Sequence, residues 1–169
     1  LMWEYNRTYC PEWFMGDVAS DDALKGGGNT TDMADIYDVE NWRTTDQNTF
    51  ALDFYQAQYQ GIGRCNLALE YINKMELGID SAFTQDMKDR LLGEVHYLRA
   101  YYYFRLVRLF AGVPMTLEVL RSSEDWEMPR ATVVVVFTQI LSGLEHAIAK
   151  LWLKCEYPEA DMGGVTKGA

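Results

Sequence analysis

The side chains that could do chemistry in this chain are few and widely spaced. His96 and His146 lie in separate segments, and neither HxxxH nor HExxH occurs, so no helix presents two imidazoles to one metal. Cys10, Cys65 and Cys155 are odd in number and show no CxxC spacing, which predicts three isolated thiols and neither a disulfide framework nor a zinc site. Asp21, Asp22, Asp32, Asp35 and Asp38 surround three consecutive glycines, Gly26–Gly28, and invite a cation. The EF-hand spacing fails, because the required Gly and Glu do not follow. The DDxxD pattern fails because Lys25 stands where the third acid belongs. A solvated acidic loop is therefore expected, with a structural calcium ion as the alternative. GxSxG, the P-loop and GxGxxG in a strand-turn-helix context are all absent. No catalytic constellation remains, and a non-enzyme is expected.

What remains is aromatic. Aromatic residues make up 14% of the chain, with five Trp and eleven Tyr. A ring outside a core suits an interface or a sugar, where a flat apolar face and a polar rim are both useful. By residue type and loop position, Trp42, Arg43, Asp46 and Asn48 are the candidate ligand-binding residues. The ring would stack, and the amide, carboxylate and guanidinium would read hydroxyls. A plain rim or interface role for Trp42 is the competing reading.

The elements that must position these residues follow from composition and period. A chain of 169 residues with 49% apolar content can build one domain with a real core. The net charge is −10, and the first fifty residues, with ten acids against Arg7, Lys25 and Arg43, carry −7 of it. That balance argues against nucleic acid or anionic lipid as partner. No run approaches the roughly 18–20 apolar residues of a membrane span. The chain begins LMWEY, which predicts a piece of a longer protein, incomplete at both ends.

Residues 1–15 predict the tail of a helix, broken at Cys10–Pro11, and then a short apolar segment. Residues 17–32 are turn chemistry, followed by a brief helix over 32–37 and a loop over 39–49. A long helix is predicted from Thr49 to Met75, with Tyr55, Tyr59, Ile62, Leu69 and Ile72 on its apolar stripe. Asn66 falls in the same stripe, so it should bond a neighbouring backbone. Thr84 is the expected cap of the next helix, whose face is Leu91, Val95, Leu98, Tyr102, Leu106 and Leu109. Tyr101–Tyr103 fan over about 200° and cannot share that face. Gly112 is available for a left-handed exit, and Pro114 forbids continuation. An extended link of about eighteen residues precedes Thr132, which should cap a third long helix. Its apolar face is Val133, Val136, Phe137, Ile140, Leu144, Ala147, Ile148 and Leu151. The fold class is all-α, with antiparallel helix pairs and long loops.

Residues 93–115, GEVHYLRAYYYFRLVRLFAGVPM, closely resemble the signature of the SusD/RagB family of outer-membrane nutrient-binding lipoproteins, which typically reads GEA-x-FLRAYYYF-x-L-x-x-x-FGGVPL. Three further blocks follow the family's order: DVASDDALKGGG at 17–28, YQGIGRCNLALEYI at 59–72, and 130–169, which ends in TKGA. The resemblance implies tetratricopeptide-like helix pairs over 1–169, forming the N-terminal part of a SusD-like fold. It implies a glycan-binding, non-catalytic component of an uptake system, working with a SusC-like TonB-dependent outer-membrane transporter and taking oligosaccharides or, in some members, peptides. It also implies a cell-surface location through a lipid anchor upstream of Leu1.

There are departures from the family pattern. Val134 and Val135 replace acids, so the capping box begun by Thr132 is lost and apolar side chains face solvent at a helix start. Trp152 stands where Pro is usual, and Cys155 where Ser is usual. A helical scaffold binding only protein partners is the second reading. The tetratricopeptide consensus at a 34-residue period is not seen, which weakens it.

Overall fold

A computed structural model of the chain describes residues 14–78, 83–122, 127–159 and 163–168, with Phe14 described by its backbone alone. The expected break at Cys10–Pro11, Cys10 itself and most of the connection at 79–82 lie outside these residues. Among the described residues four α-helices form: α1, Ala34–Glu40; α2, Thr49–Lys74; α3, Gln85–Phe110; and α4, Val133–Lys150. Among the described residues there is no strand, only an isolated antiparallel bridge between Pro114 and Arg130. The protein is all-α. The first helix starts two residues later than its composition predicts. Met33 takes a positive φ of 51°, and the Asp32 carboxylate is held by the Gly28 N–H.

The chain divides into two compact units, residues 1–60 and 61–169, with the boundary inside α2. In the first unit a single π turn, Phe14–Val18, packs on α1. Val18, Ala19, Ile36 and Val39 form a small core edged by Phe50. Ala34–Glu40 is too short to be stable alone, so this packing must hold it.

In the second unit α3 is the centre. Thr84 caps it by accepting from the Met87 N–H at 3.2 Å. The predicted single stripe is too narrow. Leu91, Leu98 and Leu109 are half-buried, whereas Leu92, Ala100, Tyr103 and Val107 are buried alongside Val95, Tyr102 and Leu106. The helix is buried on two sides because α2 and α4 flank it, and a pattern search for one stripe averages over both. Tyr102 and Tyr103 are buried while Tyr101 is only half-buried, as the fan requires. On the α2 side, a Cβ added at Gly61 would meet the Tyr102 ring at 2.5 Å, so the glycine is what lets the ring lie on the helix backbone.

That side also carries a buried polar network. Asn66 Nδ2 donates to the carbonyls of Thr116 at 2.9 Å and Glu118 at 3.0 Å. Asn66 Oδ1 accepts from Arg99 Nη1 at 3.0 Å, and the same nitrogen reaches the Leu117 carbonyl at 3.2 Å. The Tyr103 hydroxyl donates to the Thr116 carbonyl at 2.9 Å and accepts from the Thr116 N–H at 2.8 Å. Asn66 thus bonds backbone as expected, but the backbone lies fifty residues away. An extended segment that has no sheet to pair with finds its partners in three side chains.

On the other side, α4 runs antiparallel to α3. Phe137 near its start stacks edge-on with Phe104, centroids 6.4 Å apart, and Lys150 at its end pairs with Asp89. Val136, Ile140, Gly143, Ala147 and Leu151 are buried. Phe137 and Ile148, predicted on the same face, are exposed. Thr132 caps α4 through the Val135 N–H, and Val134 and Val135 stand in solvent as the lost capping box implies. By length and composition α4 is apolar enough to cross a membrane, contrary to the expectation from the sequence. The packed side of the helix explains only part of that apolar content.

The exit from α3 also departs from expectation. Ala111, not Gly112, takes the positive φ, at 56° with ψ −125°. Gly112 is needed for a different reason, since an added Cβ would collide with the Ala131 carbonyl oxygen. Arg130 closes the helix end by donating from Nε to the Gly112 carbonyl at 2.7 Å and from Nη2 to that of Phe110. A Cβ at such a φ costs roughly 1 kcal/mol. Ala111→Gly is therefore expected to stabilise the protein by about 0.5–1 kcal/mol, read as a higher urea midpoint at unchanged slope. A midpoint that is unchanged or lower would show that the turn is unstrained.

Candidate functional site

The predicted ligand residues lie in the loop between α1 and α2. Helix α1 ends at Asn41, whose N–H reaches the Tyr37 carbonyl. Trp42 follows at φ 57°, in the left-handed conformation. Its N–H bonds the Val39 carbonyl at 3.1 Å, and the Arg43 N–H bonds that of Asp38 at 2.7 Å. This is the Schellman helix ending, with tryptophan where glycine is the usual occupant. The indole is 80% exposed.

Arg43 is held rather than free. Its guanidinium pairs with Asp38 at 3.1 Å and lies over the Tyr37 ring at 5.1 Å. Asp46 is exposed on the same loop. Asn48 is not available to a ligand. It is buried and caps α2, with Oδ1 accepting from the Ala51 N–H at 3.2 Å and Nδ2 donating to the Asp35 carbonyl at 2.9 Å. The structure therefore offers Trp42, Arg43 and Asp46 on the loop and assigns Asn48 to holding it. Tyr37 and Asp38, which position Arg43, were not among the predicted residues. A partner five or six residues back on a helix carries no composition signal of its own.

The glycine-rich loop contains its own cation. Lys25 Nζ donates to the carbonyls of Asn29 and Asp32, and the Lys25 N–H meets Glu40 Oε2 at 3.3 Å. Among the described residues no group of three or more His, Cys, Asp or Glu side chains converges as a metal site would require.

Comparison with known proteins places this geometry. Residues 4–160 match the family described as "Starch-binding associating with outer membrane", SusD-like. The chain belongs to the SusD-like family. It is 29% identical over 136 residues to SusD-like protein P38 of Formosa agariphila, covering 80% of this chain and 25% of that one. A SusD-like protein of Bacteroides fragilis superposes with a TM-score of 0.77 at 26% identity, covering 98% of this chain and 30% of that one. A laminarin-binding SusD-like protein gives 0.79 at 30% identity, covering 92% and 32%. This chain thus spans about a quarter to a third of the length of these relatives.

In this SusD-like chain the remaining titratable clusters are structural. Arg90 is buried, pairs with Glu94 at 2.9 Å and lies over the rings of Trp152 at 5.0 Å and Tyr157 at 4.6 Å. Trp152 thereby fastens the return segment to α3, and the Tyr157 hydroxyl donates to the Val165 carbonyl at 2.6 Å. The Cys65 thiol is buried and pushed up to about 11 by desolvation, which makes it inert.

The two histidines, far apart in sequence, stack across α3 and α4 with centroids 5.1 Å apart. His96 Nδ1 is buried without a partner. Desolvation, aided by Arg99, His146 and Lys150, lowers His96 from 6.5 to about 4. The unfolded chain therefore takes up this proton near pH 6.5 while the folded chain resists it until about pH 4. Stability should be full above pH 6.5 and fall between 6.5 and 4. His96→Gln should flatten the His96 contribution to that fall. Thermal melts of both proteins across this range check it, and identical pH profiles would refute it.

Proposed function

We propose that this chain is the N-terminal helical part of a non-catalytic glycan-binding protein at the outer-membrane surface. In this reading it captures oligosaccharides and passes them to a SusC-like TonB-dependent transporter, held at the surface by a lipid anchor. Family membership supports glycan binding, and the laminarin-binding neighbour narrows the first ligands to try. The observation that carries a role for these residues is Trp42. A large ring at a left-handed helix ending costs about 1 kcal/mol relative to glycine, and it leaves an exposed apolar face that contributes nothing to the core. Such a cost at an exposed position is expected where the ring serves a ligand. Arg43, clamped by Asp38 and Tyr37, and Asp46 on the same loop supply polar groups for sugar hydroxyls.

Calcium plays no part in this reading, because the Lys25 ammonium already bonds the carbonyls of the glycine-rich loop. Peptide capture, or scaffolding of protein partners alone, is the alternative.

The test is a Trp42→Gly variant of the full-length protein. Calorimetry against laminari- and malto-oligosaccharides should show affinity reduced at least about tenfold, with or without EDTA, while the melting temperature rises. Unchanged affinity would remove Trp42 from the site, and no heat with any glycan for the wild type would favour the protein-scaffold reading.

A further inference from the structure

The Trp42 loop carries charge in a pattern that bears on which sugars it can take. The described part of the first unit, residues 14–60, holds nine acids against two cations, Lys25 and Arg43. Neither cation is open to an incoming anion. The Lys25 ammonium is turned onto the carbonyls of Asn29 and Asp32. The Arg43 guanidinium is held by the Asp38 carboxylate at 3.1 Å and lies over the Tyr37 ring at 5.1 Å. The Arg43 N–H also bonds the Asp38 carbonyl, so a single helix ending fixes both residues and keeps the carboxylate beside the guanidinium. Asp46, three residues further on, is exposed and meets no cation among the described residues.

A carboxylate or sulphate on a sugar is recognised best by a free guanidinium, which takes two of its oxygens in parallel hydrogen bonds. Here the guanidinium is already engaged, and an anion brought to Arg43 meets the Asp38 carboxylate as a like charge. A sugar hydroxyl meets no such repulsion. It accepts from the remaining guanidinium N–H groups, donates to Asp46, and leaves the apolar face of its ring for the Trp42 indole. We propose that Asp38 is a specificity-determining residue: by occupying Arg43, it makes the Trp42 loop select uncharged oligosaccharides over those bearing carboxylates or sulphates. This selection rests on the glycan reading of the same loop and adds to it a charge class and the residue that sets it.

The test is calorimetry of the full-length protein against laminari- and malto-oligosaccharides in three forms. These are the unmodified sugars, the sugars with their primary alcohols oxidised to carboxylates, and the methyl esters of those acids, which keep nearly the same shape without the charge. At about 0.1 M salt the acid should bind at least about tenfold more weakly than its ester. At about 1 M salt, where the screening length falls from about 10 Å to about 3 Å, that gap should shrink. Asp38→Asn frees the guanidinium and removes a like charge, so it should narrow the gap between acid and ester at least about fivefold. A merely structural role for Asp38 would weaken acid and ester alike and leave the gap as it was, which would overturn the proposal. An acid bound as tightly as its ester by the wild type would also overturn it, with the glycan reading intact. No heat with any of the sugars would remove the glycan reading itself, and this selection with it.

Discussion

The hydrogen-bond network of Asn66, Arg99, Tyr103 and Thr116 is the constraint on which the larger unit depends. Leaving α3, the chain runs through residues 113–120 without a strand to pair with, and its carbonyls at Thr116, Leu117 and Glu118 would be stranded near a helical core. An unpaired buried polar group costs about 1–3 kcal/mol, and the N–H and carbonyl of buried Thr116 are two such groups, while the carbonyls of Leu117 and Glu118 lie at the edge of the core. Asn66 on α2 and Arg99 and Tyr103 on α3 satisfy them together. Fixing those side chains fixes the register of α2 against α3. Gly61 against the Tyr102 ring then sets how closely the two helices approach. The LRAYYYF run is thus a polar lock as much as an apolar stripe.

Much of the helical architecture could be read in the sequence because its signals are local. Thr84 and Thr132 mark helix starts through their own side-chain bonds, and the ends of α2 and α4 follow from period and composition. What could not be read depends on distant partners. The residues near Thr116 that receive Asn66 have no signature in a helix fifty residues earlier. The second buried side of α3 exists only because α4 returns to cover it. At the exit, the sequence points to Gly112 for the left-handed turn that Ala111 takes, since a turn that needs a positive φ and a contact that needs no Cβ both ask for glycine. Asn48 shows the same ambiguity at the candidate site: an asparagine in a loop is equally suited to a sugar and to a helix cap, and only Asp35 and Ala51 decide between them.

Two left-handed residues contrast in what they imply. Ala111 is small and seals a turn that Arg130 already holds, so its strain is a local imperfection. Trp42 is large, exposed and placed by a complete helix ending, so its strain sets an aromatic face toward solvent.

The central claim, that one shared network holds α2, α3 and the 113–120 segment together, is tested most directly by a double-mutant cycle. Urea unfolding of Asn66→Ala, Tyr103→Phe and the double variant gives the coupling between two side chains that donate to the same Thr116 carbonyl. A coupling of about 1 kcal/mol or more is expected, because removing either partner loosens the segment on which the other depends. Losses that add to within about 0.3–0.5 kcal/mol would contradict the account, since they would mean that the two residues stabilise the protein independently.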